Sequence, residues 1–185
     1  MDTFRWLAVV LSTILGLATT RILSGFVSAF KMRRRTTPDW LPLLMAAVIL
    51  TEIFQFWWAL AELLQRPQWS IIDFGLLIAL AMTLFLAAAL ISPSEADLAE
   101  GPGFFQRDGR YALLALAVFH LAALVTNWWL WNQPPWAAQA LPVIGLAVIC
   151  VAAAVTSQRR VQATIAVLYL LLGLAAVIVV SPSSY

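Results

Sequence analysis

Four polar side chains interrupt long apolar runs of the sequence and could carry proton or ion chemistry: Arg21, Glu52, Gln55 and His120. Ionisable groups inside such runs are costly and often mark ion pathways, proton relays or buried ion pairs. Arg21 precedes Lys31 by ten residues and His120 follows Arg110 by ten, so each lies ~15 Å from one boundary at helical rise. Glu52 lies at ~18 Å by the same reckoning. We therefore predict one polar band at a common depth.

Arg21 and Glu52 are predicted to contact each other directly or through one water, because consecutive antiparallel helices carry them to nearly the same depth. Neither charge is stable unpaired in hydrocarbon. Two interpretations stay open: a buried ion pair that only fixes helix register, or part of an ion or proton pathway. For His120, the only histidine, the alternatives are a hydrogen-bonded packing residue and a titrating relay.

A second polar layer is predicted nearer the other boundary, as an acidic and aromatic outer vestibule: Glu62, Asp73, Asn127, Trp58 and Trp128. Carboxylates and ring faces together favour cations. The simpler alternative is an interfacial tryptophan belt with Asp73 solvated at the membrane surface.

Small residues recur every four positions in the first apolar run, at Ser12, Gly16, Thr20 and Ser24. Such a ridge allows two membrane helices to approach closely. We therefore predict a homo-oligomer, most simply a dimer, that packs through this helix-packing ridge.

Composition defines the elements that must position these residues. The chain has 185 residues, 63% of them hydrophobic and only 11% charged, whereas soluble domains carry about 25% charged residues. Six apolar runs can be drawn, at about 6–30, 41–64, 70–91, 111–131, 137–156 and 161–180. We predict an all-α fold: one transmembrane domain, 1–185, built as a six-helix bundle.

Orientation follows from the basic residues between the predicted spans. Eight lie in loops 31–37, 92–110 and 157–160, and two lie on the other side, Arg5 and Arg66. The positive-inside rule places these three loops in the cytoplasm and both termini outside it. The chain resembles small bacterial polytopic membrane proteins, so we expect it in the bacterial inner (plasma) membrane.

A repeated pattern links the second and fourth spans. Each ends in a tryptophan pair, is followed by a short Pro/Gln turn and a further tryptophan, and leads into the next span. Either spans 2–3 and 4–5 are duplicated hairpins, as in many transporters, or similar interfacial turns arose independently.

These features favour a small membrane transporter or channel with a cation or proton pathway. The alternative is a non-catalytic membrane subunit that binds a partner protein or lipid; an intramembrane lipid enzyme using Glu52 or His120 is the third reading. No hydrolase, zinc-protease or phosphate-loop motif is present, and the single Cys150 permits no intrachain disulfide. We expect no cofactor, no metal and no nucleic-acid partner; the expected partner is the lipid bilayer.

Overall fold

A computed structural model describes residues 3–34, 39–66, 68–99 and 103–180. Within these ranges all regular secondary structure is helical and no strand is present, which confirms the all-α prediction. The helices are α1 Thr3–Met32, α2 Trp40–Ala59, α3 Ile71–Ile91, α4 Glu95–Ala99, α5 Arg110–Trp131, α6 Leu141–Val155 and α7 Arg159–Val180. Short 3-10 turns at Leu60–Gln65 and Ala138–Ala140 and a π turn at Phe105–Gly109 complete the described elements.

Local capping defines where several helices begin and end. Asp39 caps α2 by accepting from the Leu41 amide at 3.1 Å. Ser70 and Asp73 form a reciprocal capping box at the start of α3, which satisfies two amides that the helix cannot pair internally. Asn132 ends α5 in the left-handed conformation, φ 52°, a region that asparagine tolerates better than most residues.

The helices pack around α3 and α5. α3 lies against α1 and α5, α5 packs on α6, and α2 contacts α1, α3 and α7. Five of the helices, α1, α2, α3, α5 and α6, turn an apolar face inward; on α1 this face is Leu7, Leu11, Leu15, Ala18 and Ile22. Large apolar side chains cover most of the outer surface, as expected for helices surrounded by lipid.

The two ends of the bundle differ in composition. One end, here called the basic end, carries Lys31, Arg33, Arg34, Arg107, Arg110, Arg159 and Arg160. The other, the tryptophan end, carries Trp6, Trp57, Trp58, Trp69, Trp128, Trp129, Trp131 and Trp136. Hydrogen bonds join distant segments of the chain at each end. Gln106 donates to Gln162 at the basic end, and Arg66 donates to the Leu130 carbonyl at the tryptophan end. Arg35 of the predicted basic loop and Pro67 of the predicted turn lie outside the described residues.

Five helical segments of the described chain are long and apolar enough to cross a membrane: Phe4–Met32, Trp40–Leu63, Ile71–Ile91, Phe105–Trp131 and Ala138–Val155. The predicted count of six spans is therefore not confirmed. α7 occupies the sixth predicted run and packs on α2. The duplicated hairpins are not confirmed either, because α5 packs on α6 far more extensively than α2 packs on α3.

Candidate functional site

Three polar side chains meet in the interior between α2, α5 and α7. The Tyr169 hydroxyl donates to Glu52 Oε1 at 2.9 Å, and its oxygen also forms a short hydrogen bond with His120 Nε2. All three residues are buried, with exposed fractions of 6% for Glu52, 3% for His120 and 4% for Tyr169. Each comes from a different helix, so the chain Glu52–Tyr169–His120 ties three helices together. We call it the buried triad.

Packing next to the triad fixes its geometry. Phe56, one turn after Glu52, meets Phe119 edge-on at 6.1 Å between ring centroids, which aligns α2 with α5. Gln55 donates to the Gly173 carbonyl of α7 at 2.9 Å. A Cβ at Gly173 would already lie in van der Waals contact, at 3.4 Å, with both Gln55 Nε2 and Thr51 Cγ2, so a larger side chain would not fit between α7 and α2.

The triad has the hydrogen-bonding capacity of a proton relay. A phenolic hydroxyl can donate one bond and accept another, so Tyr169 can transmit a proton between its two neighbours without moving. Glu52 and His120 are the groups at either end that can gain or lose a proton. No water is needed between the three side chains, because the two hydrogen bonds are direct.

Cys150 of α6 is buried near Glu52, with an exposed fraction of 1%. A carboxylate, an imidazole and a thiol near one another raise the question of a metal site. Within the described residues, however, no group of three or more such side chains is arranged to hold an ion. The contacts observed between the three triad side chains are the two hydrogen bonds.

The predicted contact between Arg21 and Glu52 is wrong. Arg21 is exposed on α1, and its charge acts on Asp97 near the basic end instead. The depth estimate carried no information about rotation about the helix axis: Ala18 and Ile22 point into the bundle, and Arg21 lies on the outer face. Of the predicted band, the structure brings together Glu52 and His120, with Gln55 one turn away, and leaves Arg21 apart.

The charge of Arg21 is one of several influences on the pKa of Asp97 near the basic end. The Ser94 side chain, at 2.6 Å, holds the pKa of Asp97 below its usual value, with burial opposing this shift. A hydrogen bond from the Ser94 amide and the charges of Arg107 and Arg21 lower it further. Arg21 therefore lies close enough to α4 for its charge to act on Asp97, and it lies outside the buried triad.

A second buried polar group lies between the triad and the basic end. Gln162 of α7 is fully buried; its carbonyl oxygen accepts from Gln106 Nε2 at 2.6 Å. Its amide donates to the Ala153 and Thr156 carbonyls, at 3.2 and 2.8 Å. Because every polar atom of this side chain is paired, Gln162 fastens the α6–α7 connection to the π turn before α5.

An ion pair completes the polar face of α7 at the basic end. Arg159 donates to both carboxylate oxygens of Asp39, with Nη1 at 3.0 Å from Oδ2. The same carboxylate caps α2. Arg159, Gln162, Tyr169 and Gly173 thus place successive polar contacts along α7, from its first turn to the level of the triad.

The predicted outer vestibule is not assembled as expected. Asp73 is 2% exposed; its oxygens accept from Trp129 Nε1 at 2.8 Å, the Ser70 amide at 2.8 Å and Arg66 Nη2 at 3.3 Å. It therefore clamps the tryptophan end and is not an open cation ligand. A cleft of about 410 Å³ does lie there, lined by Arg66, Gln68, Trp69, Ser70, Asp73 and Trp129.

The other members of the predicted vestibule lie apart from that cleft. Glu62, Trp58 and Trp128 are exposed, and Asn127 is partly buried. Glu62 leaves the face of Glu52 because α2 ends at Ala59 and continues as a 3-10 turn, whose angular spacing differs from that of an α-helix. Trp128 stacks edge-on with Trp136 at 5.6 Å.

The small-residue ridge lies on the outside of α1. Thr20 and Ser24 are exposed, Ser12 and Gly16 are partly exposed, and nothing lies within 4 Å of a Cβ built at Gly16. Within the described chain the ridge therefore packs against no other helix at Gly16.

Tyr169 and Gln162 are the site residues that the sequence did not reveal. Tyrosine is common near membrane boundaries and an uncharged glutamine beside a predicted span end looks like a loop residue. A helical spacing of Gln162, Ala166, Tyr169 and Gly173 was the available signal, since these positions share one face. No family model matches the chain, and neither a characterised protein nor a solved structure does.

Proposed function

We propose that this protein is a small integral membrane transporter or channel that moves protons, or a small cation coupled to protons, through the buried triad. The observation that carries the proposal is the continuous hydrogen-bonded chain from Glu52 through Tyr169 to His120. Buried ionisable groups inside an apolar bundle are kept at a cost in stability and favour a functional role over a purely structural one.

The relay step is a transfer along the two hydrogen bonds. It begins with His120 as an imidazolium and Glu52 as a carboxylate. The Nε2 proton of His120 moves to the Tyr169 oxygen while the hydroxyl proton moves to Glu52. The step leaves a neutral imidazole protonated on Nδ1, an intact tyrosine and a neutral carboxylic acid. Only N–H and O–H bonds change.

The arrangement in the structure suits an occluded stage of such a cycle. Neither the cleft at the tryptophan end nor a second one at the basic end is lined by a triad residue. Access would alternate through rearrangement of α7, whose polar contacts with Asp39 and Gln106 at the basic end would open and close the route to Tyr169.

The test is proton flux into liposomes that hold the purified protein and a trapped pH-sensitive dye. Under an imposed potential we expect flux in the wild type, with Glu52→Gln reducing it to the level of protein-free liposomes. Glu62→Gln is the matched control, because this carboxylate is exposed at the tryptophan end. Equal flux in both variants and the wild type, with all three folded, would reject the proposal.

A non-catalytic membrane subunit is the second candidate. The burial of the triad and its direct hydrogen bonds are compatible with this candidate too, because a purely structural cluster would have the same contacts. Absence of flux with retained folding in the wild type would support this candidate. An intramembrane lipid enzyme is less well supported, since His120 is only 3% exposed and has no open face toward lipid.

The setting we propose is the bacterial inner membrane, with six spans, both termini outside the cytoplasm and a homo-oligomer formed through the ridge of α1. Five apolar helices support insertion in a membrane, and the segregation of arginines to one end supports the orientation.

A further inference from the structure

An apolar groove lies at the basic end between the last turns of α1 and the first turns of α2. Its volume is about 530 Å³, inside the ~300–1,000 Å³ of small-molecule sites. It is lined by Phe26, Val27, Ala29, Phe30, Arg33 and Leu43. Val27 and Phe30 are 52% and 63% exposed, so the groove opens sideways onto the surface that faces lipid.

One end of the groove is cationic. Arg33 directly follows α1 and holds its guanidinium carbon 3.5 Å above the Phe30 ring, with Nη1 donating to the Phe30 carbonyl at 2.6 Å. Lys31 and Arg34 flank it in sequence. None of the residues that line the groove is acidic, and no described carboxylate forms an ion pair with Arg33.

We propose that this groove binds an anionic glycerophospholipid, with one acyl chain against Val27, Phe30 and Leu43 and the phosphate on Arg33. The apolar groove matches the acyl chain of this ligand, and the guanidinium of Arg33 matches its phosphate. A free phosphate would use only the arginine, and an uncharged lipid would use only the groove. The α1 terminus is also where an apolar span meets the charged interface, the depth at which a lipid phosphate lies.

The site is independent of the proton relay. It requires only that the apolar helices lie in a membrane, and its residues belong to α1, α2 and the turn after α1. A lipid bound there would fill the space between α1 and α2, the helix that carries Glu52.

The experiment titrates purified protein in a neutral detergent with phosphatidylglycerol or phosphatidylcholine of identical acyl chains. Bound lipid is counted by native mass spectrometry. We expect the wild type to retain one phosphatidylglycerol about fivefold more tightly than phosphatidylcholine, the effect of about one cation near an anionic headgroup. Arg33→Gln should abolish this preference, and Val27→Trp should displace both lipids by filling the groove.

Matched controls separate the site from general effects. Arg160→Gln removes an exposed arginine at the same end, and Val9→Trp adds the same ring to an exposed position of α1; neither should alter binding. Equal losses in Arg33→Gln and Arg160→Gln would show diffuse charge attraction and overturn the proposal. So would full displacement by millimolar inorganic phosphate, or unchanged binding in Val27→Trp. If Val27→Trp fails to fold, the comparison of Arg33→Gln with Arg160→Gln tests the proposal by itself.

Discussion

At the scale of single residues, Tyr169 holds the site together. Within the described chain, its hydroxyl forms hydrogen bonds with both Glu52 and His120 and so connects them. A buried polar group left without a partner costs about 1–3 kcal/mol, and more if it is charged. Removal of the Tyr169 hydroxyl therefore leaves both the Glu52 carboxyl and the His120 imidazole without this hydrogen bond.

We expect Tyr169→Phe to lower the free energy of unfolding by about 1–3 kcal/mol for each stranded group. Adding Glu52→Leu to Tyr169→Phe should recover part of this loss, because the carboxylate no longer needs a donor. Tyr111→Phe is the matched control, since Tyr111 is 46% exposed on α5. Thermal or denaturant unfolding in detergent measures each value; equal stabilities for both tyrosine variants would contradict the buried hydrogen bonds.

The sequence revealed two members of the triad because each is rare in apolar runs. Glu52 and His120 stand out against their neighbours, and their depths alone suggested a common layer. Arg21 had the same signal and proved misleading, because distance from a span end carries no information about helix rotation. Tyr169 carries no charge and fits either a core or an interface, so only the assembled fold could place it.

At the scale of helices, the fold depends on how closely α7 approaches α2. These helices are distant in sequence, and hydropathy predicts where each one runs but not which ones touch. The approach occurs at Gly173, against Thr51 and Gln55. α1 presents a comparable glycine, Gly16, but toward open space.

The two glycines predict opposite outcomes. Gly173→Leu should destabilise the monomer, because a branched side chain must push α7 away from α2 and cost about 1–3 kcal/mol. Gly16→Leu should leave the monomer folded and weaken self-association through the ridge. Unfolding curves and sedimentation in detergent separate the two effects. A stable Gly173→Leu variant would contradict the close contact, and unchanged association in Gly16→Leu would remove the ridge as the interface.

At the scale of the whole molecule, arginines and tryptophans divide the bundle into two ends. The apolar runs in the sequence predicted the positions of the helices to within a few residues, because a helix that crosses a membrane needs about 20 consecutive apolar residues. The side-chain hydrogen bonds that join distant helices at each end were not predictable from the sequence. Asp39–Arg159 and Asp73–Trp129 join residues far apart in the chain, and their pairing depends on which helices neighbour one another.

Membrane orientation is the last prediction and belongs to this scale. If the basic end faces the cytoplasm, a cysteine at Ser157 should react with an impermeant maleimide only after the cells are permeabilised. A cysteine at Gln133, exposed at the tryptophan end, should react in intact cells. Both are placed in a Cys150→Ser background, which removes the single native thiol. Labelling at Ser157→Cys but not at Gln133→Cys in intact cells would invert the molecule, and the lipid groove at Arg33 would then face the outer leaflet.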